Sequence, residues 1–486
     1  MAATDPFDLI VTVVAGVIAL AVLSQLLSQR VRIPAPAFFL VAAALAALFL
    51  PPVSAHTRLL DERIVSIALA VILFDGGMHI GWRRFRAAAA PIVWLGILGT
   101  ALTAAAVAAS AHFIFGFGIT AALLLGAALS PTDPAVVFSV LGRKEIGGRS
   151  GTILEGESGA NDPVGIAIMA SLLAASGTGW AAVGSGALEF LLQLGIGAAV
   201  GIVGGFGLRL LLHRLVLPNE ALASVIAIAC GVFLYGAGAV AHGSGFLAIF
   251  VAGILVGDLR APYKTEITRF SSGAASLAEI VAFTVLGLTV QLDYVLRPEV
   301  WLTGLGIAAL LVFVIRPVLV GLVALPIRID WGERAFVLWA GLKGAVPILL
   351  GLLVVSAGAP GAHELYAVVF VVVLVSVVLQ GGLVPLLGRV LRVPMRELET
   401  RPWALDVRFA SPPQNLERHT VEAGSPADGA AAGQLIAGDS AWIAMVSRAG
   451  EMVPVRNSTR LQAGDVVLTD IDDDNDVSAL FEGPRD

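Results

Sequence analysis

Thirteen long apolar stretches follow one another along the first 390 residues, and they limit what this chain can fold into. They run over about 8–28, 35–52, 62–80, 90–114, 119–141, 152–176, 187–212, 221–239, 244–258, 274–291, 300–325, 334–356 and 365–388. A bilayer crossing takes about 20 mostly apolar residues. Each stretch therefore predicts a membrane span, and the fold class predicted is an all-α polytopic membrane protein. The first stretch is too long, and too acidic at its start, for a cleavable signal. Composition agrees, since 57% of residues are hydrophobic and 14% charged, where soluble domains carry roughly 25% charged residues. A chain this apolar cannot clothe itself in polar side chains, and it is not disordered. A net charge of −6 with no long Lys/Arg run argues against nucleic acid as a partner. The single cysteine, Cys230, excludes a disulfide scaffold and a multi-cysteine metal site.

The connections alternate in charge. One set holds 18 Lys/Arg residues, from Arg30 and Arg32 through Arg83, Arg84 and Arg86 to Arg389, Arg392 and Arg396; the other holds Arg58, Arg63 and Arg297. The positive-inside rule puts the first set in the cytoplasm, with the N-terminus outside. The 18-to-3 ratio also supports an odd span count, as expected if one helix is added to two six-helix halves. Beyond residue 400 the composition changes. Residues 401–486 carry 14 acids and 7 arginines, leaving a net +1 for the rest. Pro412, Pro413, Gln414 and Asn415 read as linker.

Charges inside lipid cost ~2.5–3.5 kcal/mol each on insertion scales, so they mark function. The fifth span contains Ser130-Pro131-Thr132-Asp133-Pro134. Pro131 and Pro134 predict a break in the helix, because proline removes a backbone donor and clashes with the preceding turn. Backbone freed at membrane depth is tolerated only beside a cavity. The sixth span opens Glu157-Ser158-Gly159-Ala160-Asn161-Asp162-Pro163. Its i, i+4 pairs put Glu157 with Asn161 and Ser158 with Asp162. Asp162 falls about 15 Å into the span at the helical rise. Oxygen ligands with one net charge suit a hard monovalent cation. Arg316 and Lys343 are the positive charges in later spans. Gly341-Leu342-Lys343-Gly344-Ala345-Val346-Pro347 is a second predicted break, 211 residues after Thr132. Paired interruptions in two halves point to a transporter site. Charge balance pairs Glu157 with Arg316 and sets Lys343 against facing helix C-termini.

These three segments resemble the signature segments of NhaP-type monovalent cation:proton antiporters, and the resemblance covers about residues 8–390. It implies a dimer whose core carries inverted repeats and two crossed discontinuous helices. It also implies that Asp162 binds cation and proton, with Asn161, Thr132, Asp133 and Ser158 around it. Glu157 and Arg316 match the structural ion pair, and Asp75 an accessory acidic position. Pro131, Pro134, Lys343 and Gly344 belong to the discontinuous helices. Lys343 departs from the family's usual arginine, keeping the charge but losing the bidentate fork. The wording around Lys343 resembles the potassium/proton, cell-volume-regulation branch; sodium is the alternative cation. Residues 405–486 resemble a TrkA C-terminal (RCK-C) domain, a small α+β fold that dimerises and binds a small-molecule regulator.

The expected domains are 1–395 transmembrane, 396–410 linker and 411–486 TrkA-C-like. In the last, 441–446 and 466–468 read as strands, with turns at Gly438-Asp439 and Gly464-Asp465. The five aspartates from Asp470 to Asp476 read as a solvated acidic loop. Exchange follows if Asp162 holds either a proton or a cation. Burial raises a carboxyl pKa and nearby positive charge lowers it, so the net value must lie near working pH. With neutral Asn161 beside it, one-for-one electroneutral exchange is expected, with no cofactor and no enzyme chemistry. The string Gly156-Glu157-Ser158-Gly159 also fits an intramembrane serine protease, which needs a histidine base nearby. His79, His112, His213 and His242 all fall at span ends or connections. A potassium channel would need a Thr-Val-Gly-Tyr-Gly-like filter, and none is present. No H-E-x-x-H or P-loop string occurs either.

Overall fold

The computed structural model describes residues 16, 35–49, 58–141, 144–174, 180–214, 220–259, 263–327, 329–397, 416–435, 441–448, 451–471 and 480–483. Apart from residue 16, the predicted first span lies outside them, as do the linker prolines, the Gly438-Asp439 turn and most of the aspartate run. The chain divides into two compact units, Met1–Thr400 and Arg401–Asp486.

The first unit is helical. Among the described residues, its α-helices of seven residues or more are α1 (Ala35–Phe49), α2 (Arg58–Val93), α3 (Thr100–Phe113), α4 (Ile119–Leu129), α5 (Ala135–Leu141), α6 (Gly148–Ala174), α7 (Trp180–Arg214), α8 (Glu220–Val240), α9 (Gly245–Gly257), α10 (Lys264–Thr289), α11 (Pro298–Leu310), α12 (Trp331–Trp339), α13 (Ala345–Ser356), α14 (Ala362–Val375) and α15 (Gly381–Val390). A two-stranded antiparallel ribbon joins β1 (Lys144–Ile146) to β2 (Met395–Glu397). Among the described residues, six helical segments are long and apolar enough to cross a bilayer, and four shorter apolar helices accompany them. The first long segment, Glu62–Phe113, has 52 residues. That is about 78 Å of helix against a ~30 Å hydrocarbon core. It bends at Gly81, whose φ of 66° leaves the helical region, so it covers two of the predicted spans. Large apolar side chains such as Leu191, Val203, Phe233, Leu302 and Phe313 stand exposed on outer faces, as lipid-facing helices require.

Glycine lets α2 and α9 pack closely. A Cβ on Gly77 of α2 would lie 2.5 Å from the Phe250 carbonyl of α9, and one on Gly253 would lie 2.4 Å from the Phe74 carbonyl. Small residues of this kind let two backbones meet where the hydrophobic effect cannot drive association. The sequence reading missed two features. The helix predicted to begin near residue 274 begins at Lys264, because its first turns are polar. Among the described residues, three stretches, Trp94–Gly99, Leu311–Val320 and Ser376–Gln380, wind as π-helix. Such widened turns commonly occur at functional sites.

The second unit is a four-stranded antiparallel sheet in the order β3-β6-β4-β5. Its strands are β3 (Leu416–Thr420), β4 (Ala441–Arg448), β5 (Glu451–Val453) and β6 (Val466–Ile471), and a one-turn helix, α16 (Ala432–Leu435), precedes β4. Val421, Ala427, Val446, Leu461, Val467 and Phe481 form its core. Both predicted strands lie within this sheet. The turn at Gly464 adopts φ 88°, which favours glycine.

Candidate functional site

Two interrupted helices face each other. The first stops at Leu129 and resumes at Ala135; the second stops at Trp339 and resumes at Ala345. Pro131 and Pro134 account for the first gap, lacking amide donors where a continuous helix would need them. The exposed backbone groups of one gap are satisfied by the other. The Asp133 amide donates to the Leu342 carbonyl at 2.8 Å. The buried Lys343 ammonium donates to the Pro131 carbonyl at 2.9 Å and the Ser130 carbonyl at 3.2 Å. These are the carbonyls left without partners at the end of α4, where a cation is also favoured by the helix dipole. A point charge suffices for this task, which is why lysine serves where a fork is not required. Gly344 lies against Asp133 with no room for a side chain.

The sixth predicted span supplies the third wall. The Asn161 amide nitrogen donates to Thr132 Oγ1 at 2.7 Å, and the Thr132 amide donates back to Asn161 Oδ1 at 3.2 Å. Ser158 Oγ donates to the Thr132 carbonyl. α6 approaches closely because Gly165 meets the Pro131 ring. Asp162 is one residue on, 6% exposed. Its Oδ1 is buried and accepts no hydrogen bond from any described residue. Asp133 and Lys343 lie within electrostatic range of it. A buried carboxylate oxygen without a donor is costly, and it offers a lone pair to a ligand. Hard monovalent cations take such oxygen donors, together with hydroxyl, amide and backbone oxygens.

Arg316 and Glu157 are both buried, and Nη2 donates to Glu157 Oε1 at 2.9 Å. Arg316 also donates to the Leu338 carbonyl at 2.8 Å, so it helps end α12. The π-helical turn carrying Arg316 contains Pro317. Gly341 makes way for the guanidinium.

Thus Thr132, Asp133, Ser158, Asn161, Asp162 and Lys343 form one group, with Glu157 and Arg316 beside it. Asp75 bonds elsewhere. It accepts from Ser272 Oγ at 3.1 Å and lies 3.4 Å from His79 Nδ1. Ser158 donates to backbone, and no described histidine bonds it, so nothing here assembles a serine nucleophile. The sequence reading passed over Ser376 and Gln380. The Lys343 amide donates to Ser376 Oγ at 3.0 Å, Ser376 Oγ donates to Gln380 Oε1 at 2.7 Å, and Gln380 Nε2 donates to the Trp339 carbonyl at 2.5 Å. It also passed over Glu279. The rule that marks Asp162, an acid inside an apolar run, would have found Glu279 in Leu277-Ala278-Glu279-Ile280-Val281.

Residues 17–390 match the family described as sodium/hydrogen exchanger, transmembrane. A K(+)/H(+) antiporter NhaP from Alkalimonas amylolytica is 34% identical over 427 residues, 87% of this chain and 74% of that protein. The K(+)/H(+) antiporter NhaP2 of Shewanella oneidensis is 31% identical over 456 residues, 92% of this chain and 79% of that one. The solved structure of the sodium proton antiporter MjNhaP1 from Methanocaldococcus jannaschii at pH 8 superposes with a TM-score of 0.65 at 19% identity. It covers 78% of this chain and 100% of its own.

Proposed function

From the premise that the chain belongs to the sodium/hydrogen exchanger family, and is therefore a multi-pass monovalent cation/proton antiporter rather than an enzyme, we propose that it exchanges potassium for protons at Asp162. The observation that carries this reading is the donor-free Asp162 Oδ1 beside Thr132, Ser158 and Asn161, at a gap between helix ends. A carboxylate there binds a proton or a cation but not both, so the two compete and exchange. Thr132, Asn161, Asp133 and Ser158 orient and surround the ion, while Glu157 and Arg316 hold the scaffold. Neutral Asn161 leaves the loaded site with equal charge in both forms, which favours one-for-one, electroneutral exchange. The names of the two relatives support potassium; sodium is the second reading, supported by the name of the structural relative.

The membrane arrangement belongs to the same proposal. We take the chain to cross thirteen times, in two inverted halves plus one helix, with the two discontinuous helices crossing at the site. The 18-to-3 distribution of basic residues supports an N-terminus outside and a cytoplasmic tail. Asp75 is an accessory acid. The C-terminal sheet acts as a TrkA-C-like regulatory domain that takes a small-molecule ligand, residues 396–410 link it to the exchanger, and the whole works as a homodimer by alternating access.

The test is proton efflux driven by potassium or sodium in inverted vesicles, compared across pH. Asp162→Asn is expected to abolish exchange while the protein remains folded in detergent. Full activity in that variant would overturn the assignment, and a sodium-only response would replace potassium by sodium.

A further inference from the structure

α15 does not run straight on toward the second unit. It ends in a Schellman turn, in which the Val393 amide donates to the Gly388 carbonyl at 3.0 Å and the Arg392 amide to the Arg389 carbonyl at 3.2 Å. Arg392 takes the left-handed corner, with φ 52°, a place that glycine usually fills. A residue with a side chain keeps that conformation only where its surroundings demand it. Pro394 follows, and the chain enters β2, which pairs antiparallel with β1. The Gly147 amide extends the ladder with a 2.8 Å bond to the Pro394 carbonyl. Ile146 and Val393 are buried, and Met395 packs on Gly388 so tightly that a Cβ there has no room. The second unit begins at Arg401, four residues beyond Glu397.

β1 occupies a telling place in the chain. It joins α5, the second half of the first interrupted helix, to α6, which carries Ser158, Asn161 and Asp162. α5 packs on both β1 and α15. The first turn of α6 reaches the other interrupted helix, since the buried Ser150 hydroxyl donates to Glu333 Oε1 at 3.2 Å. Glu333 stands in the first turn of α12, and its Oε2 accepts the Asp330 amide at 3.4 Å in a capping box. Gly332 of the same turn lies against the Leu391 carbonyl. One end of each of α5, α6, α12 and α15 therefore meets at this ribbon. Asn161 lies 13 residues along α6 from Gly148, about 20 Å of helix. Two short strands alone are marginally stable, so the packing around the ribbon is what holds it.

We propose that the β1–β2 ribbon is the coupling element through which the C-terminal unit acts on transport. It fixes the tether of that unit to both interrupted helices and to the helix of Asp162, so a change of state in the tail shifts the two gaps. A tether joined to α15 alone would leave the tail free of the site. This inference rests on the reading of the C-terminal sheet as a regulatory domain.

The experiment is a double-variant cycle in the full-length protein, read as the apparent KM for potassium and the pH midpoint of exchange in vesicles. Asp465→Asn perturbs the tail sheet. Arg396→Pro removes a backbone donor from β2 opposite Glu145, in the next bonded pair after Gly147 and Pro394. Arg396→Ala keeps that donor. Asp465→Asn is expected to shift KM and pH midpoint severalfold in the wild-type ribbon and in Arg396→Ala, and to shift neither in Arg396→Pro. Met395→Ala, which only thins the packing, should shrink the shift partway. Ile146 and Met395 face each other in a non-bonded pair, about 4.5 Å apart at Cα, within disulfide reach. With Cys230→Ala, oxidation of Ile146→Cys/Met395→Cys should restore the shift in Arg396→Pro. Equal shifts in wild type, Met395→Ala and Arg396→Pro would overturn the proposal and leave the tail regulatory. No shift from Asp465→Asn in wild type would remove the regulatory reading, and the proposal with it.

Discussion

A Cβ on Gly344 would stand 1.8 Å from Oδ2 of Asp133. The φ of Gly344 is −116°, so the requirement is for space and not for a left-handed backbone. The carboxylate of one interrupted helix rests on the bare backbone of the other. Gly344→Ala must displace Asp133, break the Asp133–Leu342 bond, or both. Overpacking of this kind costs about 1–3 kcal/mol, or roughly five- to 150-fold in an affinity. The apparent KM for potassium in vesicles should rise accordingly. Gly195→Ala, where no atom lies within 4 Å of the added carbon, should leave it unchanged.

The Glu157–Arg316 pair makes a different demand. Both side chains are almost fully buried, so removing one partner leaves an uncompensated charge. Such losses cost ~3–5 kcal/mol, whereas removing both is milder. Arg316→Ala should lower the thermal midpoint of the detergent-solubilised protein more than Glu157→Ala/Arg316→Ala does. A double variant as unstable as the sum of the singles would show the pair to be uncoupled.

Much of this site could be read from the sequence because the cost of breaking a helix in lipid confines prolines, glycines and charges to places that compensate them. Pro131, Pro134, Gly341 and Gly344 marked both gaps, and the i, i+4 spacing of Glu157 with Asn161 and Ser158 with Asp162 marked the face between them. Sequence could not show which backbone groups those gaps exchange, such as the Asp133 amide with the Leu342 carbonyl. Those bonds join residues some two hundred positions apart. The π-helical turns escaped for a related reason. Leu311–Val320 and Ser376–Gln380 have ordinary apolar helix composition, and tertiary bonds to the gaps accompany their widened winding. The polar start of α10 hid ten residues of helix behind a hydropathy rule.

In the C-terminal sheet, Asp465 is the pH-sensitive element. Its carboxyl accepts two hydrogen bonds from Arg448, at 2.9 and 2.8 Å, and one from the Gln462 amide at 2.8 Å. Burial alone would raise this carboxyl, but the Arg448 bonds, the Gln462 amide and the nearby positive charge outweigh it and hold it below the usual aspartate range. A depressed native value means that the stabilisation is present above the ordinary value of about 3.9 and is lost as pH falls through the lower one. Hydrogen exchange of β4 and β6 amides in the full-length protein should therefore quicken only in strong acid. Asp465→Asn should raise exchange at neutral pH and flatten that acid response. An unaltered response in the variant would count against this pair.

Gln380 latches the second gap from the last long helix. Its side chain donates to the Trp339 carbonyl and accepts from Ser376, whose oxygen receives the Lys343 amide; the Trp339 indole returns a bond to the Gln380 carbonyl at 3.1 Å. The groups it serves are a backbone carbonyl and the buried Ser376 hydroxyl, and polar groups at membrane depth need partners within the protein. Gln380→Leu keeps the volume and leaves the Trp339 carbonyl and the Ser376 hydroxyl short of a partner, at a cost of about 1–3 kcal/mol. Because Lys343 holds the Pro131 carbonyl, the loosened gap should move the ammonium that faces Asp162. The expected result is faster amide hydrogen exchange at residues 340–344, a shifted pH profile of transport, and unchanged protection in α11. Slow exchange at Lys343 in Gln380→Leu, with an unshifted pH profile, would mean that the gap is held by its contacts with the first interrupted helix alone.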